Sequence, residues 1–186
     1  MQKKIALIGS GNAFFKDEGV GLYAAKYIKE NYFFEPNIVE IVDGGTLGFK
    51  LMPLLQEFEE VIIVNTASDE SKKVGEITLK NRDEFLEGAL IKKTANEVEI
   101  AEMLQICSLS ERMANVQVIS IVPKDIISVS VSLSKELQSA WEAYIQTIIK
   151  TIENLDVKVQ QKKESFSLEE TLYIFENPSI ENQRGF

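Results

Sequence analysis

The chain contains no histidine and one cysteine, Cys107, in 186 residues. Without an imidazole there is no Ser-His-Asp or Cys-His system within one chain, and the commonest metal ligand is missing. A single cysteine cannot close an internal disulfide. Set in "IAEMLQIC", it reads as a small buried hydrophobe. Any metal would therefore rest on carboxylates, amides, backbone carbonyls or Cys107. Positive charge is also scarce: 20 Lys and Arg stand against 29 Asp and Glu, giving a formal net charge of -9 with no long basic run. A phosphate backbone would be repelled over most of such a surface, so nucleic acid is excluded as an expected partner. No apolar run approaches the roughly 20 residues of a membrane-spanning helix. "MQKKIALIGSG" reaches glycine too early for a secretory signal, so the expectation is a cytoplasmic protein with no membrane span.

What is present is a 45% hydrophobic chain, long enough for one domain with a proper core. "KKIALIG" (3 to 9) is a short apolar run that stops at glycine, and "GVGLYAAKYIKENY" (19 to 32) then repeats apolar residues at helical spacing. "NIVEIVD" (37 to 43) leads into "GGT" and a second helical pattern, "LGFKLMPLLQEF", despite Pro53. "EVIIVNTA" (60 to 67) has the continuous aliphatic run of a central parallel strand. "GEITLK" (75 to 80) suits an extra edge strand, 96 to 107 a helix, and "VQVISIVP" (116 to 123) the last clear strand. A long amphipathic helix follows over 132 to 155, opening on a Ser-rich start. This alternation predicts an α/β fold: a doubly wound, mainly parallel sheet with helices on both faces, in one domain over 1–155. Residues 156–186 lose the pattern and read as a polar C-terminal tail with one short helix near 167 to 175.

In a doubly wound sheet, ligands bind beyond the carboxyl ends of the strands. Three turns fall there: Gly9 to Gly19, Asp43 to Thr46, and Asn65 to Asp69. Dinucleotide binding fits the first poorly. "GSGNAF" supplies two glycines of the G-x-G-x-x-G fingerprint and puts Phe14 at the third, and "NAFFKDEG" separates the turn from its helix.

Taken together, "GSGNAFFKDEGVG", "DGGTLG" and "VIIVNTAS", in this order over roughly residues 3 to 150, resemble the nickel-iron hydrogenase maturation proteases. The resemblance implies a small α/β endopeptidase that removes the C-terminal peptide of a hydrogenase large-subunit precursor once nickel is inserted. It implies three metal-contacting side chains: a Glu after the first strand, an Asp ending the third and a His before a later helix. These fall on Glu18, Asn65 and Asn96. The Glu is kept and the other two positions hold amides, which suit nickel or zinc less well than carboxylate and imidazole. The expected cofactor is thus nickel borne by the substrate and weakly held by the isolated chain. Asp43 matches the acidic residue beside the cleavage region and is the catalytic candidate; Gly11, Asn12, Gly44, Gly45 and Thr46 are the substrate-binding candidates.

The same residues have plainer readings. Asp17 and Glu18 suit the first turn of a helix. Asn96 with Glu99, or Thr94 with Glu97, has capping-box spacing. Asn65 and Asp43 suit turns, and Gly44 and Gly45 suit positive φ. Two functions remain open at this point: a working endopeptidase, or a relative without catalysis that binds the peptide as an assembly or targeting factor. A replacement carboxylate facing the site, with Asp69, Glu97 and Glu99 as candidates, favours catalysis.

Overall fold

A computed structural model describes residues 3–46, 48–87, 94–110 and 112–178. Strand β1 (Ile5–Ser10) leads through a helical turn, Lys16–Gly19, into α1 (Val20–Asn31), β2 (Tyr32–Glu35) and β3 (Val39–Gly45). A turn at Gly48–Leu51 opens α2 (Met52–Glu57), which accepts Pro53 because an N-terminal position of a helix needs no N–H partner. Then come β4 (Glu60–Thr66), β5 (Ile77–Asn81), α3 (Arg82–Glu87), α4 (Ala95–Cys107), β6 (Asn115–Ile121), α5 (Lys135–Glu153), β7 (Lys158–Gln161) and α6 (Leu168–Glu176).

The main sheet has the order β3-β1-β4-β6-β5, parallel except for β5, which pairs antiparallel with β6 at the edge. The expected doubly wound α/β architecture is therefore present, including the extra edge strand. Strand pleating sorts the side chains. Ile5, Leu7, Ile62, Val64, Ile119 and Ile121 face α1 and α5, while Ala6, Ile8, Val61, Ile63, Val116 and Val118 face α2 and α4. β4 is buried along its whole length because it lies in the middle with helices on both faces. α5 presents Trp141, Tyr144, Ile145, Ile148 and Ile152 as one buried stripe, with Ser134 as its N-cap.

The structure departs from the sequence reading at the end of α1, at β7 and at α3. The helix read through Tyr32 stops at Asn31, because "YFFE" is extended and pairs antiparallel with β7. The residues after Asp156, where periodicity fades, supply that partner strand, and α6 lies where the short helix near 167 to 175 is expected. Asn31 ties them to α1: its Nδ2 donates to the Phe166 carbonyl at 2.9 Å and its Oδ1 accepts from the Phe166 N–H at 2.6 Å. The rings of Tyr23 and Phe175 meet edge to face at 5.0 Å. The last residues of that tail, 179–186, lie outside the described residues. Helix α3 was not foreseen. Its cap is nonetheless written in the sequence, since Asn81 and Glu84 exchange side-chain-to-backbone bonds of 2.9 and 3.0 Å. Among the described residues, no helix is long and apolar enough to cross a membrane.

Candidate functional site

The chain leaves β1 to form β3 on one side of it and returns to form β4 on the other. The order reverses there, so a crevice opens at the carboxyl ends of β1 and β4. "GSGN" shapes its floor. Gly11 has φ +147, and a Cβ there would lie 2.0 Å from the Glu18 carbonyl oxygen. The Gly11 N–H donates to the Gly45 carbonyl at 2.9 Å and the Asn12 N–H to the Glu18 carbonyl at 3.2 Å, tying the first turn both to "DGGT" and to the Glu18 backbone. The Asn12 side chain accepts from the Phe14 N–H, a local turn bond. Asp17, fully buried, accepts from the N–H groups of Lys124, Asp125 and Ser134, so this carboxylate anchors the loop before α5.

Pleating puts Ser10, Asn65 and Ser120 on the face covered by α4, as the last inward residues of three adjacent strands. They form a polar layer above an aliphatic core. The Ser120 hydroxyl donates to Asn65 Oδ1 at 2.6 Å, and Asn96 Nδ2 donates to Ser10 Oγ at 2.7 Å. The Nδ2 of Asn65 is buried without a hydrogen-bond partner among the described residues. Glu97, fully buried, accepts from the Ser68 N–H and hydroxyl, both at 2.8 Å, and closes a capping box with Thr94. Thr94 is the cap of α4, and Asn96 is free of that duty.

Glu18 is partly buried, and its carboxyl is pushed above the usual range by that burial and by the negative charge of Glu97. Of the three replacement candidates, Glu97 is the one coupled to Glu18. Glu99 accepts from the Gly48 N–H, and Asp69 is held below the ordinary carboxylate range by its bonds from Ser71. A carboxyl with a raised folded-state pKa penalises the fold once it must ionise. That penalty is absent below the ordinary glutamate range and builds as pH rises through it. Glu18→Gln should therefore raise the melting temperature near neutral pH, with the gain vanishing in acid. Melting curves across pH test this, and a gain that persists in acid would contradict it.

One carboxyl with two amides is a donor set that suits a resident nickel or zinc ion poorly. Among the described residues there is no group of three His, Cys, Asp or Glu side chains able to hold a metal ion. The Asn65 oxygen is already engaged, and its other atom is a donor. Asn65 and Asn96 belong to the hydrogen-bonded layer at the carboxyl ends of β1, β4 and β6, and Glu18 lies in the turn that follows β1.

The remaining candidates lie on the other face. A groove of about 690 Å³ beside β3 is lined by Gly11, Asn12, Asp43, Gly45 and Thr46 together with residues of α1 and α6. Asp43 is exposed, and its Oδ1 accepts from the Gly45 N–H at 2.9 Å. Gly44 is not part of the lining. It packs where a Cβ would meet the Gly9 carbonyl and the Ile8 side chain, both at 2.8 Å. The sequence reading missed Ser10 and Ser120. Their alternation with aliphatic residues in "IALIGS" and "VQVISI" was the available signal.

A family model described as hydrogenase maturation protease matches residues 22–151. Protein HydD of Wolinella succinogenes is 26% identical over 140 residues, 74% of this chain and 88% of the relative. The hydrogenase 2 maturation protease of Escherichia coli is 20% identical over 157 residues, 83% and 94% of the two chains. Among solved structures, the hydrogenase maturating endopeptidase HybD of Escherichia coli superposes with a TM-score of 0.79 at 18% identity, covering 87% of this chain and 99% of its own. The NiFe hydrogenase maturation protease HybD of Thermococcus kodakarensis gives 0.65 at 24% identity, covering 80% and 98%. At these identities the two structures establish the fold alone.

Proposed function

The chain belongs to the hydrogenase maturation protease family, and from that premise we propose that it removes the C-terminal peptide of a nickel-iron hydrogenase large-subunit precursor after nickel insertion. The observation that carries this is the coincidence of the family match with a groove whose inner end is built by "GSGN" and "DGGT". Family membership favours the protease over the assembly-factor reading.

Nickel enters as part of the substrate. Glu18 and Glu97 concentrate negative charge at the crevice, and burial already disfavours the ionised Glu18. A cation carried by the precursor relieves that repulsion and lowers the carboxyl again, so charge at this point rewards a metal-loaded precursor over an empty one. The precursor tail lies in the groove against Gly11, Asn12, Gly45 and Thr46. Gly45 holds one oxygen of Asp43, and the second orients water at the scissile carbonyl. In the reaction the water oxygen bonds to the carbonyl carbon, the C–N bond breaks, and a proton from water ends on the departing amine.

The direct test is to incubate the purified chain with nickel-loaded and nickel-free precursor and follow the precursor by mass spectrometry. Loss of the C-terminal peptide from the loaded form alone is the expected result. An unchanged mass for both forms would refute the proposal.

A further inference from the structure

Among the described residues, strand β3 is an open edge of the main sheet. Its register against β1 pairs Ile5 with Val39, Leu7 with Ile41 and Gly9 with Asp43, and the Ile5 N–H donates to the Ile38 carbonyl. In a parallel ladder with that phase, Ile38, Glu40, Val42 and Gly44 turn their backbone groups toward β1. The N–H and C=O groups of Val39, Ile41 and Asp43 therefore point away from the sheet. They form a row of three donors and three acceptors at every second residue. The groove lies beside this row on the α1 face. Leu22, Ala25, Lys26 and Lys29 of α1 and Ile174 and Phe175 of α6 line it, together with Phe14, which is 65% exposed. Ile41 and Asp43 contribute to both the row and the lining.

We propose that the precursor segment around the processing site binds as an added β-strand on the open edge of β3, with alternate side chains entering the groove between α1 and α6. This rests on the processing function proposed above and names how the substrate is held. The edge calls for extended main chain rather than a helix or a small molecule, because its ligands must present N–H and C=O groups at a two-residue period. A five-residue strand spans about 17 Å, enough to run from Val39 to Asp43. Its far end then lies at "DGGT", where Gly45 is bonded to Gly11. The apolar part of the lining, Leu22, Ala25, Ile174 and Phe175, selects aliphatic or aromatic side chains at the groove-facing positions, while the opposite positions face away from the groove. Because α6 begins at Leu168 and the family match ends at 151, Ile174 and Phe175 add to that selectivity from an element outside the matched region.

The test uses the full chain, isotope-labelled for amide exchange, and a synthetic peptide spanning the processing site of the precursor. The peptide should slow exchange at Val39, Ile41 and Asp43 by about tenfold or more. The already bonded amides of Glu40 and Val42 should change little. N-methylation at successive peptide positions should weaken binding in a two-residue alternation, by about tenfold at each position that bonds the edge. A flat methylation scan or unprotected edge amides would overturn the proposal. So would edge protection that grows with protein concentration in the absence of peptide, which would assign the edge to a second copy of the chain. Edge protection with no precursor cleavage removes the processing function and keeps the strand addition. Cleavage with an unprotected edge does the reverse.

Discussion

Asn65→Asp combined with Asn96→His should raise the nickel affinity of the isolated chain by orders of magnitude, as read by calorimetry. The structure makes the two changes asymmetric in cost. At position 65 the side-chain oxygen that accepts from Ser120 is kept, and the atom replaced is a buried N–H donor with no partner among the described residues, so no hydrogen bond to them is lost. What is added is a buried negative charge, unfavourable until a cation arrives. At position 96 the helix cap is untouched, because Thr94 provides it, and the loss is the bond to Ser10. The double variant should therefore melt below the parent without metal and regain stability as nickel is added, since binding to the folded state alone is stabilising. Each single change should do less than the pair, because ligands of one ion act jointly. If the double variant binds nickel no better than the parent, the side chains at 65 and 96 do not share a cavity with Glu18, and the ligand positions taken from the family are wrong for this chain.

The fold was legible because it rests on periodicity. "IALIG", "VIIVN" and "VQVISI" could be read as buried parallel strands from their aliphatic runs, and the helices between them from the spacing of residues such as Val20, Tyr23, Ala24 and Ile28. The ends of the elements were less legible. Tyr32 continues the apolar rhythm of α1, and only the distant β7, more than a hundred residues on, makes "YFFE" a strand. That is tertiary pairing overriding a local pattern. The candidate site divides in the same way. Gly11, Asn12, Asp43, Gly45 and Thr46 were marked by motif and do meet in one groove. Ser10, Ser120 and the anchoring of Glu97 by Ser68 were not marked, because their importance comes from the stacking of three strands beneath α4. The two capping options at the start of α4 were equal in spacing. They separate in space because Asn96 reaches across to β1 while Thr94 turns back on Glu97.

Gly11→Ala should be among the most damaging single substitutions in the chain, with a loss of about 3 kcal/mol or more. Two penalties combine. The residue has φ +147, a conformation that a side chain strains, and its Cβ would sit 2.0 Å from the Glu18 carbonyl oxygen, so backbone must move. At roughly 2–4 °C per kcal/mol for a chain of this size, the melting temperature should fall by about 6 to 12 °C. Gly45 provides the control. It too has positive φ, at +52, but the nearest atom to an added Cβ is Asp43 Oδ1 at 4.0 Å, and that region of backbone space is one asparagine adopts. Gly45→Asn should therefore cost little in stability, whereas Gly11→Ala should also slow precursor cleavage, because the backbone it displaces carries Glu18 and leads directly into the groove through Asn12. A parent-like melt for Gly11→Ala would show that the first turn has room the structure does not give it. Equal losses at Gly11 and Gly45 would assign the cost to φ alone. The selective loss at Gly11 is the outcome that ties "GSGN" to Glu18 as a single structural unit.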